Sequence, residues 1–354
     1  MNILAYNWRD LAHPRAGGAE VYLQSVAREW VGSGHDVTIF CAAVDGHPEH
    51  DEWEGVHLVR RGSRLGVYRE ARRYWEQTAK AKSDLVIDSV NTRPFMTPRF
   101  VHGVPVLTLF YQVAREVWFA ETPWPVAVLG RYLLEPRWLK EYHSARVATI
   151  SASSKESLER YGLHDVTVVP IGVSTIVRPP VEKESHPTVV FLGRLSPNKR
   201  PDHVIEAFRL VRKAIPEARL WVVGDGPMRA HLERSAPAGV TFFGRVDERQ
   251  KHELLARAHV LVATSLREGW GLGVTESAQV GTPAVGYDVP GLRDSLAAHG
   301  GTVVTRSPEA LAARVVLVLA DEAPLTASPG EGAVLPWGDV AGRLLALATA
   351  GAAR

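Results

Sequence analysis

The chain has 354 residues, of which 45% are hydrophobic and 23% are charged, and its formal net charge is +2. This length predicts two domains, and the ordinary composition excludes a disordered chain. The small net charge gives no support for nucleic-acid binding, and a single cysteine, Cys41, excludes an intramolecular disulfide and a cysteine-based zinc site.

Neither a membrane span nor a leader is visible in the sequence. No stretch reaches the roughly 18 apolar residues that a membrane-spanning helix needs. The first residues, MNILAYNWRDLAHPR, lack the basic region followed by an apolar region that is typical of a secretory signal peptide. We therefore expect a cytoplasmic protein.

Short apolar runs alternate with longer amphipathic segments from the beginning of the chain. The first half contains predicted strands at Ile3–Tyr6, Val37–Cys41, Val56–Val59, Leu85–Asp88, Val106–Phe110, Val147–Ile150 and Val166–Val169, with a predicted helix at Ala19–Val31. Continuous apolar strands that alternate with helices are typical of parallel sheets covered on both faces.

The same alternation returns after a break at residues 177–188, VRPPVEKESHPT, whose prolines and charges predict a linker. Predicted strands follow at Val189–Leu192, Leu220–Val223, Val240–Phe243, Val260–Ala263, Ala284–Tyr287 and Thr302–Val304, with helices at Pro201–Ala214, Arg229–Arg234, Arg249–Ala258 and Val274–Val280. Residues 321–336 are rich in proline and glycine, and a last helix is predicted from Trp337. The sequence predicts two Rossmann-like α/β domains, residues 1–177 and 188–336, facing each other across a cleft.

Four motifs in the second half each follow a predicted strand. They are Gly193-Arg194-Leu195-Ser196-Pro197-Asn198-Lys199, Gly224-Asp225-Gly226-Pro227, Phe243-Gly244-Arg245-Val246, and Glu268-Gly269-Trp270-Gly271-Leu272-Gly273-Val274-Thr275-Glu276. Ligands of parallel sheets bind beyond the carboxyl ends of the strands, so we expect the four motifs on one rim of the domain.

The chemistry of these motifs suits a phosphorylated ligand. Glycines at the start of a helix let backbone N–H groups approach an anion, and Arg194 and Lys199 can place two positive charges on a diphosphate. Glu276, about one helical turn further on, could hold a ribose diol, and Glu268 could accept hydrogen bonds from sugar hydroxyls. Taken singly, each motif also has a structural interpretation, as a strand–helix turn or a solvated charge. Their co-occurrence on consecutive strands favours the binding site.

In this combination the sequence resembles the retaining, nucleotide-sugar-dependent glycosyltransferases of family 4, which have the GT-B fold. Their motif of two glutamates separated by seven residues matches Glu268 and Glu276, and their Arg–Lys pair matches Arg194 and Lys199. Their N-terminal glycine loop matches Gly17-Gly18-Ala19-Glu20, and Gly34-His35-Asp36-Val37 is also typical of the family. The resemblance spans nearly the whole chain.

The resemblance implies a role for each matching residue. Arg194 and Lys199 would neutralise the departing diphosphate, and Glu268 would contact the donor sugar. Glu276 would bind the ribose. Further donor contacts would come from Gly17, Gly18, Gly193, Gly224, Arg245, Val246, Gly271, Leu272 and Gly273. The C-terminal helix, residues 337–354, would cross back onto the first domain.

The first domain departs from the family at one position. Family members commonly carry a histidine at the end of the strand that reads Leu107-Thr108-Leu109-Phe110-Tyr111-Gln112 here. Tyr111 stands in its place and is a candidate catalytic residue, although tyrosine is a poor base at neutral pH. With a register shift of one residue, Gln112 would be the polar contact instead. We expect Asn7, Tyr111, Gln112 and Trp118 on the acceptor side.

Metal catalysis is not expected, because no Asp-x-Asp pair occurs in the sequence to hold a divalent ion on a diphosphate. The cluster His47-Pro48-Glu49-His50-Asp51-Glu52 contains ligand residue types but reads as a solvated loop. We expect neither a metal nor another cofactor.

One stretch of the first domain is rich in arginine and aromatic residues and is relevant to which partners the protein binds. Arginines at 60, 61, 64, 69, 72 and 73 surround Tyr68, Tyr74 and Trp75, and Trp118, Phe119, Trp124 and Trp138 follow downstream. The stretch reads as a solvated basic helix with core aromatics, or as a patch that faces an acceptor or a membrane. A weak peripheral membrane contact therefore stays open, and nucleic acid is not an expected partner.

These observations predict a metal-independent, retaining glycosyltransferase. It would move a hexose from a nucleoside-diphosphate sugar, with UDP as the first expectation and GDP as the second, to a hydroxyl of a small molecule, natural product or glycan. Two alternatives are a nucleotide-sugar epimerase or phosphorylase of the same fold, and a non-catalytic nucleotide-sugar-binding protein. The acceptor, the linkage and the oligomeric state do not follow from the sequence.

Overall fold

A computed structural model describes residues 1–174, 181–323, 325–327 and 333–350. Within these ranges the chain forms two compact units. Unit 1 comprises Met1–Ala114, Val128–Ser174 and Val334–Arg354, and unit 2 comprises Arg115–Ala127 and Thr175–Ala333. Unit 2 therefore includes a segment, Arg115–Ala127, that the sequence places in the first domain. The predicted linker 177–188 and the segment 321–336 lie partly outside the described residues.

Unit 1 is built on a sheet of eight strands. Its strands are β1 (Asn2–Tyr6), β2 (Asp36–Cys41), β3 (His50–Trp53), β4 (Val56–Arg60), β5 (Leu85–Val90), β6 (Val106–Phe110), β7 (Arg146–Thr149) and β8 (Val166–Val168). They lie in the order β3-β4-β2-β1-β5-β6-β7-β8, and β3 pairs antiparallel to β4 while the others are parallel. The six residues of β5 are all buried, as expected for a central strand with both faces covered.

The predicted loop at residues 47–52 is partly wrong, because His50–Trp53 forms the edge strand β3. Its residues are polar and mostly exposed, which is why neither periodicity nor hydrophobicity indicated a strand.

Cys41, two strands away, is fully buried, and burial raises the pKa of its thiol.

Unit 2 contains a sheet of six parallel strands: β10 (Thr188–Leu192), β11 (Arg219–Val223), β12 (Val240–Gly244), β13 (Val260–Ala263), β14 (Ala284–Tyr287) and β15 (Thr302–Val304). They lie in the order β12-β11-β10-β13-β14-β15. The chain thus builds outward in one direction from β10 and then restarts on its other side at β13. The crevice between these two strands is the topological switch point, where ligands bind in open α/β sheets.

Helices cover the sheets. They are α1 (Gly18–Gly32), α2 (Val67–Tyr74), α3 (Val117–Glu121), α4 (Trp124–Leu129), α5 (Glu135–Lys140), α6 (Ala152–Glu159), α7 (Pro201–Ala214), α8 (Arg229–Ser235), α9 (Glu248–Arg257), α10 (Leu272–Gln279), α11 (Leu292–Ala298), α12 (Pro308–Leu319) and α13 (Trp337–Thr349). Short side-chain caps begin several of them. The Asp247 carboxylate, for instance, accepts from the Gln250 N–H at 2.7 Å at the start of α9. Across the described ranges, no helix combines the length and the hydropathy that a bilayer crossing requires.

The C-terminal helix belongs to unit 1. The Trp30 indole of α1 donates to the Ala341 carbonyl of α13 at 3.0 Å, and the Arg146 guanidinium donates to the Ala348 carbonyl at 2.6 Å. Short strands β9 (Ile171–Val173) and β16 (Val334–Pro336) pair parallel just before the helix. Gly172 lets the Trp337 ring pack directly on β9, since a Cβ there would lie 2.1 Å from the ring.

Every predicted strand is present, with ends shifted by at most two residues. The predicted helices are present as well. The strands that the sequence did not predict are β3, β9 and β16, which have only three or four residues each.

Candidate active site

The loops after β10 and β13 meet at the switch point of unit 2. The first carries Arg194 and Lys199, and the second carries Ser265, Arg267 and Glu268. The two loops are joined directly, because the Leu266 N–H donates to the Asn198 carbonyl at 2.8 Å. Lys199 and Glu268 are therefore neighbours in space although about 70 positions separate them.

Lys199 and Glu268 form an ion pair across this crevice, between Nζ and Oε1. The Ser265 hydroxyl donates to the same Oε1 at 2.5 Å. No described residue donates to Glu268 Oε2, which leaves this oxygen able to accept from a ligand hydroxyl. The side chains of Lys199 and Glu268 are 30% and 15% exposed, so a ligand can reach both.

The turn behind Lys199 is fixed from within the unit. Arg200 has a φ of 49°, in the left-handed region, and this sharp turn leads directly into α7. The Thr264 hydroxyl lies 2.8 Å from the Lys199 carbonyl and 2.9 Å from that of Arg200. These contacts position the Lys199 backbone and leave its ammonium to the crevice.

Gly224 and Gly226 support the Arg194 loop from behind. A Cβ on Gly224 would lie 2.0 Å from the Gly193 carbonyl oxygen, and one on Gly226 would lie 2.4 Å from that of Leu195. Gly224 also has a φ of 131°, which side chains rarely adopt. Close backbone packing is therefore sufficient to require glycine at position 224, and its predicted donor contact stays a prediction.

The N-terminus of α10 opens beside Glu268. Gly271 caps this helix with a φ of 97°, and a Cβ there would lie 2.8 Å from Leu292 Cδ2. A Cβ on Gly273 would make only ordinary contacts, at 3.6 Å from Leu192, so packing does not demand glycine there. The N–H groups of Leu272 and Gly273 have no carbonyl partner within the helix and can meet an anion, whereas the Val274 N–H donates to the Gly271 carbonyl at 2.9 Å.

Glu276 lies further along α10, and its carboxylate oxygen Oε1 accepts from the Lys251 ammonium of α9 at 2.7 Å. Sequence reasoning missed Lys251, since a lysine on an amphipathic helix gives no signal that its side chain is buried. Arg245 and Val246 follow β12, where Arg245 is exposed and Val246 is half-buried.

The segment Arg115–Ala127 packs on the same loops of unit 2. The Arg267 guanidinium donates to Glu116 at 3.0 Å, and the Glu121 carboxylate accepts from the Asn198 N–H at 3.3 Å. Trp118, predicted on the acceptor side of the first domain, thus lies in a helix whose contacts belong to unit 2. Glu121 attaches this helix to the loop that carries Lys199, and Glu116 attaches it to the loop that carries Glu268. Both links cross more than 70 positions, so sequence spacing cannot indicate them.

In unit 1, three predicted residues follow the ends of β1 and β6. Asn7 is buried, and its Oδ1 accepts from the Ser89 hydroxyl at 3.0 Å. Ser89 Oγ also lies 3.2 Å from the Tyr111 hydroxyl, and the Tyr111 ring packs edge-on against Tyr22. Gln112 is half-buried, and no described residue pairs with its buried Oε1.

The structure does not support a catalytic role for the Tyr111 hydroxyl. The side chain is 4% exposed, and burial raises its pKa far above the usual tyrosine value. A buried phenol that is hydrogen-bonded to Ser89 is poorly placed to act as a base, and the catalytic role of Tyr111 stays an untested prediction.

A buried carboxylate from the glycine loop of unit 1 accepts hydrogen bonds within the same unit. The buried Glu20 carboxylate accepts from the Gly17 N–H at 2.7 Å and from the Arg9 guanidinium at 3.2 Å. Burial raises the pKa of Glu20 despite these contacts. The Gly17 N–H, predicted to approach a phosphate together with Gly18, is thus already occupied by a side chain of the same motif.

The basic stretch of unit 1 is largely neutralised. Arg60 is buried and pairs with Asp10 at 2.6 Å and Asp51 at 2.7 Å. Three further arginines of the stretch pair with acidic neighbours: Arg61 with Glu49, Arg72 with Glu76 and Arg73 with Glu70. The prediction of a solvated basic helix is therefore wrong at Arg60, which is buried at the end of β4, and the net positive field of the stretch is smaller than its arginine count indicates.

Two family models match consecutive parts of the chain, the Glycosyltransferase Family 4 model over residues 16–176 and the Glycosyl transferases group 1 model over residues 174–333. The chain belongs to glycosyltransferase family 4. It is therefore an enzyme that transfers a sugar from a nucleotide sugar, as the sequence predicts.

Named relatives agree with this assignment. The chain is 28% identical to a GDP-mannose-dependent alpha-(1-6)-phosphatidylinositol dimannoside mannosyltransferase of Mycobacterium tuberculosis, over 84% of this chain and 83% of the relative. Its fold is similar to that of sucrose-phosphate synthase from Thermosynechococcus elongatus, with a TM-score of 0.74 and 18% identity over 98% and 94% of the two chains. It is also similar to Anabaena HepE in complex with UDP and glucose, with a TM-score of 0.66 and 16% identity over 99% and 95%. The predicted GT-B fold is confirmed.

Proposed function

We propose that this family 4 enzyme is a retaining, metal-independent hexosyltransferase that uses a nucleoside-diphosphate sugar and works in the cytoplasm. The observation that carries the proposal is the Lys199–Glu268 pair at the switch point of unit 2, beside the N-terminus of α10. A cation for the diphosphate and a carboxylate for the sugar lie side by side there. The diphosphate and the sugar are likewise directly linked in a nucleotide sugar.

In the proposed reaction the bond between the anomeric carbon and the diphosphate oxygen breaks. The acceptor hydroxyl attacks from the face that the diphosphate leaves, and its proton passes to the departing phosphate oxygen. Arg194, Lys199 and the first N–H groups of α10 stabilise the charge that develops on the diphosphate. The Glu268 carboxylate holds the sugar by accepting hydrogen bonds from its hydroxyls.

The donor base and the acceptor are finer parts of the proposal. We propose UDP as the first nucleotide of the donor and GDP as the second. The Mycobacterium relative is named for GDP-mannose and the HepE structure contains UDP, so both nucleotides are arms of one experiment. We propose an acceptor that is a small molecule, natural product or glycan, bound through unit 1, because Arg194, Lys199 and Glu268, which we assign to the diphosphate and the sugar, belong to unit 2.

A thermal-shift panel of UDP, GDP and their sugars tests the donor. A true donor should stabilise the folded chain by about 2.7 kcal/mol when present at about 100 times its Kd. Product analysis of the best donor, with and without acceptor, then distinguishes transfer from epimerisation or phosphorolysis, and the anomeric configuration of the product reports retention. If every nucleotide leaves the melting curve unchanged, the site assignment in unit 2 fails.

We expect transfer to continue in the presence of EDTA. The reason is that the proposed charge stabilisation comes from Arg194, Lys199 and helix N–H groups, and no Asp-x-Asp pair exists in the sequence. Initial rates measured with EDTA, and with EDTA followed by excess magnesium or manganese, check this. A loss of activity that either ion restores would contradict the metal-independent proposal.

A further inference from the structure

A buried lysine stands behind the carboxylate that we assign to the ribose. Lys251 lies on α9, and its side chain is 14% exposed. Its ammonium donates to Glu276 Oε1 at 2.7 Å and to Glu248 Oε1 at 2.8 Å. Two helices that are separated in sequence are thus connected by one charged group in a largely desolvated position.

The ammonium is charged in this position. Burial alone disfavours the charge, but the carboxylates of Glu276 and Glu248 outweigh it and raise the pKa of Lys251. Removing one partner of such a buried pair leaves the other charge uncompensated, which makes the geometry of Glu276 dependent on Lys251.

The pair leaves part of Glu276 available. Oε1 is engaged by Lys251, and no described residue donates to Oε2. The Glu276 side chain is 24% exposed, more than that of Lys251, so the carboxylate is reachable while its partner is shielded. This is the arrangement of a ligand contact held in place by a second residue that does not itself touch the ligand.

Two physical effects follow for a bound nucleotide. A glutamate has three rotatable side-chain bonds, and fixing them before binding removes an entropic cost that the ligand would otherwise bear. A nucleoside diphosphate is also an anion, and an uncompensated carboxylate would repel it. The Lys251 ammonium offsets that repulsion at close range.

We propose that Lys251 is a positioning residue of the nucleotide site, which orients Glu276 so that its free oxygen accepts from a ribose hydroxyl. The inference rests on the proposed function and on the ribose contact that the family resemblance implies for Glu276. Glu248 shares the ammonium but is 79% exposed, and it serves only as a second partner.

The test compares the Kd values of UDP and GDP with those of their 2′-deoxy and 2′,3′-dideoxy forms by calorimetry. The wild-type chain should prefer the ribose forms. In Lys251→Met the affinity for the ribose form should fall about tenfold, the size of one lost hydrogen bond to a charged group, and the preference over the deoxy forms should nearly vanish. Lys251→Arg should keep most of the preference, and Glu248→Gln, the matched control, should keep all of it.

A double variant guards against a folding defect, since Lys251→Met alone leaves two carboxylates close together. If Lys251 acts through Glu276, the variant with both Lys251→Met and Glu276→Gln should bind the ribose form no more weakly than Glu276→Gln alone. A further loss in the double variant, or a full ribose preference in Lys251→Met, would overturn the positioning role.

The outcomes also separate the two proposals. A wild-type chain that binds neither nucleotide would contradict the proposed function. A wild-type chain that binds them but does not distinguish ribose from deoxyribose would preserve the nucleotide site and overturn the role of Glu276, and with it that of Lys251.

Discussion

Replacing Lys199 with alanine lowers the rate of sugar transfer by about 10²–10³-fold, and replacing Arg194 has an effect of similar size. Loss of one preorganised group that stabilises developing charge typically costs this much. The folded state should change little, because the Lys199–Glu268 pair is partly exposed and such pairs contribute about 1 kcal/mol or less. Steady-state rates at saturating donor, with thermal melts of each variant, measure the two effects separately.

The matched control is Lys213→Ala. Lys213 lies on α7 of the same unit and is exposed, away from the switch point, so its removal changes the net charge by the same amount. It should leave the rate within about twofold of wild type, since surface charges away from a site have small effects. Near-normal transfer by both the Lys199 and the Arg194 variant would remove the diphosphate assignment from this loop.

Changing Glu268 to glutamine should lower transfer by about 10²-fold while nucleoside diphosphate binding stays near the wild-type value. The amide keeps the size of the side chain but loses the negative charge that accepts strongly from sugar hydroxyls. It also releases Lys199, whose ammonium then remains for the diphosphate. Transfer rates and UDP or GDP titrations on the same preparation give the two readouts.

The contrast with Glu276→Ala sharpens this prediction. A ribose contact is shared by donor and product, so Glu276→Ala should weaken the nucleotide itself, whereas Glu268→Gln should not. If both variants lost only acceptor affinity, the donor would lie in the opposite orientation from the one we assign.

Sequence reasoning worked where local rules dominate. Buried parallel strands such as Leu220–Val223 are continuous apolar runs. Their length and the glycines that follow them were enough to predict them. The site in unit 2 was predictable for a related reason. In a doubly wound sheet the loops after β10 and β13 must meet, so Lys199 and Glu268 come together through topology rather than through any local signal.

It failed where the deciding contact is long-range. Arg60 reads as one more surface arginine, yet Asp10 and Asp51 hold it in the core. Trp118 follows the strands of unit 1 in sequence, but Glu116 and Glu121 attach its helix to unit 2. Tyr111 was placed at the right strand end, and its burial against Tyr22 and Ser89 could not be derived from spacing.

The buried thiol of Cys41 has a practical consequence. Thiolates, not thiols, react with maleimides and related labels, and this thiol is enclosed in β2 with a raised pKa. Because it is the one cysteine in the sequence, we expect thiol-reactive labels to react little with the natural chain, which suits site-directed labelling at introduced cysteines. A cysteine introduced at exposed Lys213 in unit 2, paired with one at exposed Arg69 in unit 1, would carry a donor and an acceptor fluorophore. Energy transfer between them would then report the separation of the two units as nucleotide is added.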